Sequence, residues 1–537
     1  MEGGAVRPDL RKERYAAYLA GFFLLAVLVY APALRGPFVS DDFHYVANNP
    51  WVQEASAERL LEVLPPLGEA SAAIENWAPL HLILHAGAVA AFGENVLGHH
   101  LLNLLLHALA TTLLVALLWR AGVPSAGAFF GGLFFLLHPA NVEAVAWISQ
   151  LKTTSAFVLA ALALLLFRRF PIASGWVFLL ALLAKALALF ALPVLAVQLF
   201  VHRNRSRSSL FGLAFWSIVL VAFSVAELTV FLHLNAETPA TVADSLIGRT
   251  REGFAIVGRY ALMATTTIGV SPFQEPSRWV GWRDPWWLFG LVTVAAVGAR
   301  TGWALAKRRE EAAWWVWAAA AYLPVSQLFP FRNPVADRYL YLILPGLLGG
   351  VLLAVTPWAR RLVKRNSVAQ PAAVALAVIA AVLLGVHSHS QARLWNHEVF
   401  LLSEAARHYP DGAGAWLLRA EHAVRSGERD AALQALQNAN HRGFDRYDHL
   451  LQSVAFAPLR GDPRMRQLVH DIAGDWVRRL SARGDLYQGE LLQLAAAHLA
   501  RGEREAAREA VAKGLLRDGP FEAELAHVAQ VLARGAR

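Results

Sequence analysis

The chain has 537 residues, of which 56% are hydrophobic, with no cysteine, a formal net charge of +9 and a mean hydropathy of +0.40. This is too apolar for a soluble protein of this size, and the lack of cysteine excludes disulfides and thiolate metal sites. No basic–aromatic pattern suited to nucleic acid is present, so the basic excess reads as membrane topology.

Arg7, Arg11, Lys12 and Arg14 precede the first apolar segment, about Tyr15 to Leu34. No small-residue cleavage site follows it, so it reads as a retained helix with a cytoplasmic N-terminus. Next comes Phe38-Val39-Ser40-Asp41-Asp42-Phe43-His44-Tyr45, two adjacent carboxylates at the head of a long outer loop. The loop includes Asn76-Trp77-Ala78-Pro79-Leu80-His81 and an amphipathic piece, His81 to Phe92, too short to span. Spans are expected at Leu97–Trp119, Ala126–Leu137 and Thr154–Phe167, with an outer segment from His138 through Glu143 to Lys152. The apolar stretch Ala173–Val201 has Lys185 at its middle and basic clusters at both ends. A hairpin of two short helices keeps both clusters inside and puts Lys185 at a tip in a protein-lined cavity. After a span at Leu210–Leu232, Gly253–Val270 is expected to lie at the outer interface or re-enter. This keeps Lys307-Arg308-Arg309 and Arg360-Arg361-Lys364-Arg365 inside. Further spans follow at Trp286–Leu305, Trp314–Phe329, Tyr339–Ala354 and Pro371–Gly385, for a total of about eleven. The tryptophans at 282, 286 and 287 and at 314, 315 and 317 suit interfacial belts.

Charge is sparse up to about Gly385 and dense after Arg393. The expected division is a membrane domain over residues 1–390 and an outer helical domain over 391–537. In the latter, Gly427-Glu428-Arg429-Asp430-Ala431-Ala432 recurs as Gly502-Glu503-Arg504-Glu505-Ala506-Ala507. Small residues at tetratricopeptide spacing surround both copies, with the glycine in the turn between helices. Such a solenoid binds peptide or protein in its groove; the plainer reading is a bundle that only packs on the membrane domain.

On this topology Asp41-Asp42, Trp77, His138, Glu143, Lys152, Lys185 and Asp337-Arg338 face one compartment. An Asp here serves as general base toward an acceptor hydroxyl; adjacent side chains diverge, so the second orients the first, helps hold a divalent cation, or caps a turn. A lysine within an apolar stretch costs roughly 2.5–3.5 kcal/mol to insert and marks function by default; snorkelling is the alternative. Lys185 suits a lipid-linked phosphate. So does Arg338, through its fork, while Lys152 and Arg338 also fit as headgroup anchors. Tyr339 and Tyr341 are placed either to hydrogen-bond a headgroup or simply to form part of an aromatic belt. His138 and Glu143 lack a third ligand for a metal, and His99, His100 and His107 read as packing between helices.

These motifs, in this order, resemble the transmembrane and tetratricopeptide-repeat O-mannosyltransferases, here as a bacterial relative, within the GT-C class of membrane glycosyltransferases. The resemblance rests on Phe38-Val39-Ser40-Asp41-Asp42 with Asn48-Asn49-Pro50, Asn76-Trp77-x-Pro79-Leu80, and Gly93-x-Asn95 with His99-His100 and His107. It continues through His138-Pro139-x-x-Val142-Glu143, Ala336-Asp337-Arg338-Tyr339-x-Tyr341 and Arg393-x-Trp395. It implies an all-α polytopic fold, a polyprenyl-phosphate sugar donor, an inverting transfer on the outer face, and Asp41 as base with Asp42 beside it. The family's Glu-Arg-Lys-Asp run after the second-loop serine is here Gln150-Leu151-Lys152-Thr153, which keeps only the lysine. A protein or glycan hydroxyl is the expected acceptor. The alternatives are an inactive membrane scaffold whose repeats recruit protein, and a lipid-linked-sugar transporter, which charges gathered on one side argue against.

Overall fold

A computed structural model describes residues 8–234, 245–275, 285–328, 334–366 and 368–534. Trp282 and the basic residue Arg7 lie outside the described residues. The described chain is helical and without strands: an all-α polytopic membrane protein.

The membrane part begins with α1 (Pro8–Tyr30), followed by a long loop carrying α2 (Pro50–Gln53), α3 (Ala57–Glu62), α4 (Glu69–Ala73) and α5 (Pro79–Phe92). Then come α6 (Val96–Arg120), α7 (Ser125–Leu136), α8 (Val142–Ala146), α9 (Leu151–Leu166), α10 (Pro171–Ala184), α11 (Ala191–Val201) and α12 (Arg207–Leu234). It closes with α13 (Leu246–Thr266), α14 (Pro285–Ala306), α15 (Glu311–Tyr322), α16 (Asp337–Arg365) and α17 (Ala369–Leu394). Seven described helices are long and apolar enough to cross a membrane. An eighth span counts if α7 and α8, bent by 55° at His138-Pro139, act as one.

The difference from the expected eleven lies in short pieces. α10 and α11 are 14 and 11 residues long and α15 is 12, each ~16–21 Å at 1.5 Å per residue, against ~30 Å of hydrocarbon. The break between α10 and α11 falls at Lys185, whose backbone is extended (φ −160, ψ 125). α10 packs on α9 and α12, and α11 on α15 and α12. Their far ends meet the other basic loops. His202 pairs with Glu310 at 2.9 Å, Arg308 donates to the Phe200 carbonyl at 3.1 Å, and Arg120, which donates to the Leu165 carbonyl, lies near Arg168 and Glu310. α13 carries too many charges to count as an apolar span. It packs closely on α14, and its Tyr260 hydroxyl donates to the Ala336 carbonyl at the start of α16.

Trp314, Trp315 and Trp317 do not form a belt. All three are buried in the crossing of α15 and α16, where Gly349 and Gly350 leave slots for the Trp314 and Trp315 rings. A stripe of glycines on the facing helix makes these indoles core residues.

Beyond α17 lie α18 (Glu398–His408), α19 (Ala413–Arg425), α20 (Arg429–His441), α21 (Tyr447–Gln452), α22 (Pro463–Ser481), α23 (Gln488–Ala500), α24 (Arg504–Leu515) and α25 (Glu522–Arg534). Gly427 and Gly502, the two copies of the repeated glycine, occupy the turns after α19 and α23 with φ of 78° and 79°. A Cβ is strained in that region, which explains why glycine recurs there.

This C-terminal array stands on two feet. At one, the Glu275 carboxylate accepts the N–H of Ala413 at 3.0 Å and of Gly414 at 3.4 Å, and the Tyr409 hydroxyl donates to Gln274. At the other, Glu69 accepts the Gly489 N–H at 2.8 Å, and the Trp51 and Phe521 rings meet at 5.9 Å.

Candidate active site

The loop after α1 turns sharply before its carboxylates, because Ser40 has a positive φ of 52°. A non-glycine residue there costs of order 1–3 kcal/mol and persists only where the surroundings fix it. The turn sends the two aspartates in opposite directions. Asp42 is wholly buried, and its carboxylate accepts the N–H of Val39 at 3.0 Å and of Ser149 at 2.7 Å. It ties the loop after α1 to the segment between α8 and α9. Asp41 is exposed, and its charge acts on Lys152, Arg338, His44 and Tyr45.

Burial pushes the Asp42 carboxyl from the ordinary 3.8 up to about 7, against the two backbone N–H groups that favour its ionised form. A carboxyl raised on folding holds its proton more tightly in the folded state. Its stabilising contribution is therefore complete below its unfolded value and is lost as pH rises through 7. The thermal midpoint of the wild type, measured against Asp42→Asn, is expected to fall from pH 4 to 7; parallel midpoints across that window would refute this.

Opposite Asp41 stand three cations. The Lys152 ammonium sits 4.1 Å from the centre of the Tyr45 ring. Lys185, at the break between α10 and α11, donates to the Thr153 hydroxyl at 2.7 Å, and Thr153 donates in turn to Gln150 at 2.7 Å. Arg338, in the first turn of α16, pairs with Glu143 through both its guanidinium and its backbone N–H, the latter at 2.7 Å. Its guanidinium also lies over the Trp147 and Tyr339 rings. Asp337 is buried and accepts the Ser271 N–H at 2.8 Å and the Gln274 amide at 2.7 Å.

Other sequence-selected residues stand elsewhere. The Tyr341 hydroxyl is spent on His107 Nδ1 at 2.9 Å, inside the bundle. Three residues on from Arg338, it sits ~4.5 Å further along the helix axis, too deep for the phosphate role assigned to it. The Trp77 indole donates to the Leu64 carbonyl and stacks on Phe223. His138 caps the bend between α7 and α8, with Nδ1 accepting the Ala140 N–H and Nε2 on the Ala264 carbonyl. Both act as struts. His99, His100 and His107 bond to the carbonyls of Gly93, Gly36 and Leu136, as packing residues do. Among the described residues no group of three or more His, Asp or Glu is arranged to hold a metal.

Sequence reasoning missed Tyr45, Thr153, Gln274 and Arg446. Arg446, just before α21, forms a two-point pair with Asp448 at 2.9 and 2.7 Å, and its charge acts on Asp41 and His44. Only Thr153 carried a local signal, as the neighbour of Lys152.

No family model matches the chain, and no solved structure does. Three curated proteins are similar over about a third of it. Protein O-mannosyl-transferase Tmtc1 of Drosophila melanogaster is 34% identical over 179 residues, 32% of this chain and 20% of the relative. Protein O-mannosyl-transferase TMTC1 of Mus musculus is 31% identical over 176 residues, 31% and 19% of the two chains. The Homo sapiens TMTC1 is 31% identical over 159 residues, 29% and 18%. Over such a stretch the chain is TMTC1-like. It spans about a fifth of the length of the relatives it matches.

Proposed function

We propose that this chain is a GT-C-type membrane glycosyltransferase that moves a sugar from a polyprenyl-phosphate donor to a hydroxyl of a protein or glycan acceptor. One observation carries the reading: an exposed carboxylate, Asp41, faces Lys152 and Arg338, with Lys185 beside them, at the end of the bundle opposite the basic loops. The TMTC1 similarity supports the reaction class. Lys152 and Lys185 hold the donor phosphate, while Arg338, committed to Glu143, sets the floor of the site and adds positive potential.

Asp41 takes the proton of the acceptor hydroxyl. The oxygen attacks the anomeric carbon as the bond from that carbon to the phosphate oxygen breaks, and the leaving phosphate keeps the electron pair. The cations stabilise that charge. One displacement inverts the anomeric centre. In this reading the N-terminus and basic loops are cytoplasmic, and the site and tetratricopeptide-like repeats lie on the outer, periplasmic face of a bacterial inner membrane.

A second reading, an inactive scaffold whose repeats recruit protein, draws on Gln150 and Thr153 in place of the family's acidic positions. The test is transfer from a panel of polyprenyl-phosphate sugars by purified protein beside Lys185→Ala. The expected result is transfer with one sugar, and a donor KM raised on the order of tenfold or more in the variant, the loss of one charge-assisted contact. Absence of transfer together with absence of donor binding would favour the scaffold.

A further inference from the structure

A cavity of about 710 Å³ opens between α1, α6 and α9, at the basic-loop end of the bundle. Leu19, Leu109, Leu113 and Leu165 wall it, and the small side chains of Ala16 on α1 and Ala116 on α6 leave the room. The Thr112 hydroxyl, on the same wall, is spent on the Ala108 carbonyl at 2.8 Å. The wall is therefore apolar in effect. From Leu109 to Arg120 it runs ~16 Å along α6 at 1.5 Å per residue, about half of the ~30 Å hydrocarbon core. That is the depth of one leaflet.

The mouth has a different chemistry. Tyr15 and Trp119 meet edge to face there, with ring centres 6.5 Å apart, an aromatic pair of the kind that sits at a membrane–water boundary. Arg120 is exposed beside them and donates to the Leu165 carbonyl at 2.9 Å. A guanidinium has five N–H donors, so this bond fixes the fork at the opening and leaves donors for an anion. Arg168 follows Leu165 by one turn. Arg360 donates to the Gly122 carbonyl, just beyond α6, at 3.3 Å. Glu310, at the same end, is paired with His202 at 2.9 Å.

We infer that this groove binds an anionic phospholipid, with one acyl chain between α1, α6 and α9 and the headgroup phosphate on Arg120. The hydrocarbon region offers no water, so an apolar slot one leaflet deep takes an acyl chain. The rim selects the headgroup: the arginine fork suits a phosphate, and further cations favour a lipid of net negative charge over a zwitterionic one. The groove lies at the opposite end of the bundle from Asp41 and does not depend on the transferase reading. α1 leads into the Asp41 loop and α9 begins at Leu151-Lys152, so a lipid seated here braces two of the helices that carry the candidate site.

The test uses the full chain in micelles, labelled by phosphatidylglycerol with a photoreactive group on its acyl chain, and peptide mass spectrometry to place the adducts. Adducts are expected on the wild-type segments around Leu19, Leu113 and Leu165. Unlabelled phosphatidylglycerol is expected to compete about tenfold better than phosphatidylcholine with the same chains, the effect of one or two cations near a headgroup. Arg120→Gln should bring that ratio close to one. Ala116→Phe, which fills the groove and leaves the rim, should lose these adducts and keep those elsewhere on the bundle, which also reports that it is folded. Adducts spread evenly over the apolar helices, or equal competition by the two lipids, would overturn the site in the wild type alone, whatever the variants do. Retained labelling in Ala116→Phe would do the same. Competition by glycerol phosphate as strong as by the whole lipid would make this a site for free phosphate and remove the lipid.

Discussion

Asp41→Asn is expected to lower transfer by about 10²–10⁴-fold, the usual worth of a general base, without moving the unfolding midpoint. Asp41 is exposed and accepts the Ser40 hydroxyl at 3.4 Å, so the amide changes little except basicity. Asp42→Ala is expected to show the opposite signature. It strands the N–H groups of Val39 and Ser149 in a buried place, at a cost of about 1–3 kcal/mol each, and loosens the tie between the two loops. Turnover and thermal unfolding measured on the same preparations separate the two aspartates. If Asp41→Asn kept its activity, the base would have to be another group.

Glu143→Ala is expected to be the most destabilising single change at the site. The Glu143 carboxylate is 2% exposed and its Arg338 partner 16%. Breaking a buried pair by removing one member costs about 3–5 kcal/mol, because the other charge is left uncompensated. The double variant Glu143→Leu/Arg338→Met should recover part of that loss, giving a coupling energy above about 1 kcal/mol in a double-mutant cycle. Chemical unfolding in micelles provides the measurement. Additive losses would show that the two side chains are independently satisfied.

The helical character, the paired acidic residues, the break at Lys185 and the repeated glycines were legible in the sequence, since each is written in local spacing or composition. What was not legible depends on distant partners. Which aspartate is open is decided by the Ser149 N–H, 107 residues away. Arg338 was marked as a phosphate ligand, yet its first partner is Glu143, and no local pattern connects them. Tyr341 was grouped with Arg338 by proximity in sequence, although advance along a helix also changes depth. The tryptophans of α15 looked interfacial because the glycines that receive them lie on α16. Where the short apolar helices α10, α11 and α15 stop was not legible either, because apolar runs do not reveal where a helix ends.

The pairing of Glu143 with Arg338 also sets an order for biogenesis. The two are 195 residues apart, so the ribosome has synthesised and the insertion machinery has handled five more helices beyond α9 and α10 before the arginine arrives. Until then the glutamate has no partner in the nascent chain. Fragments released before α16 therefore lack a formed site, with the Glu143 carboxylate at the end of the bundle still without its guanidinium partner.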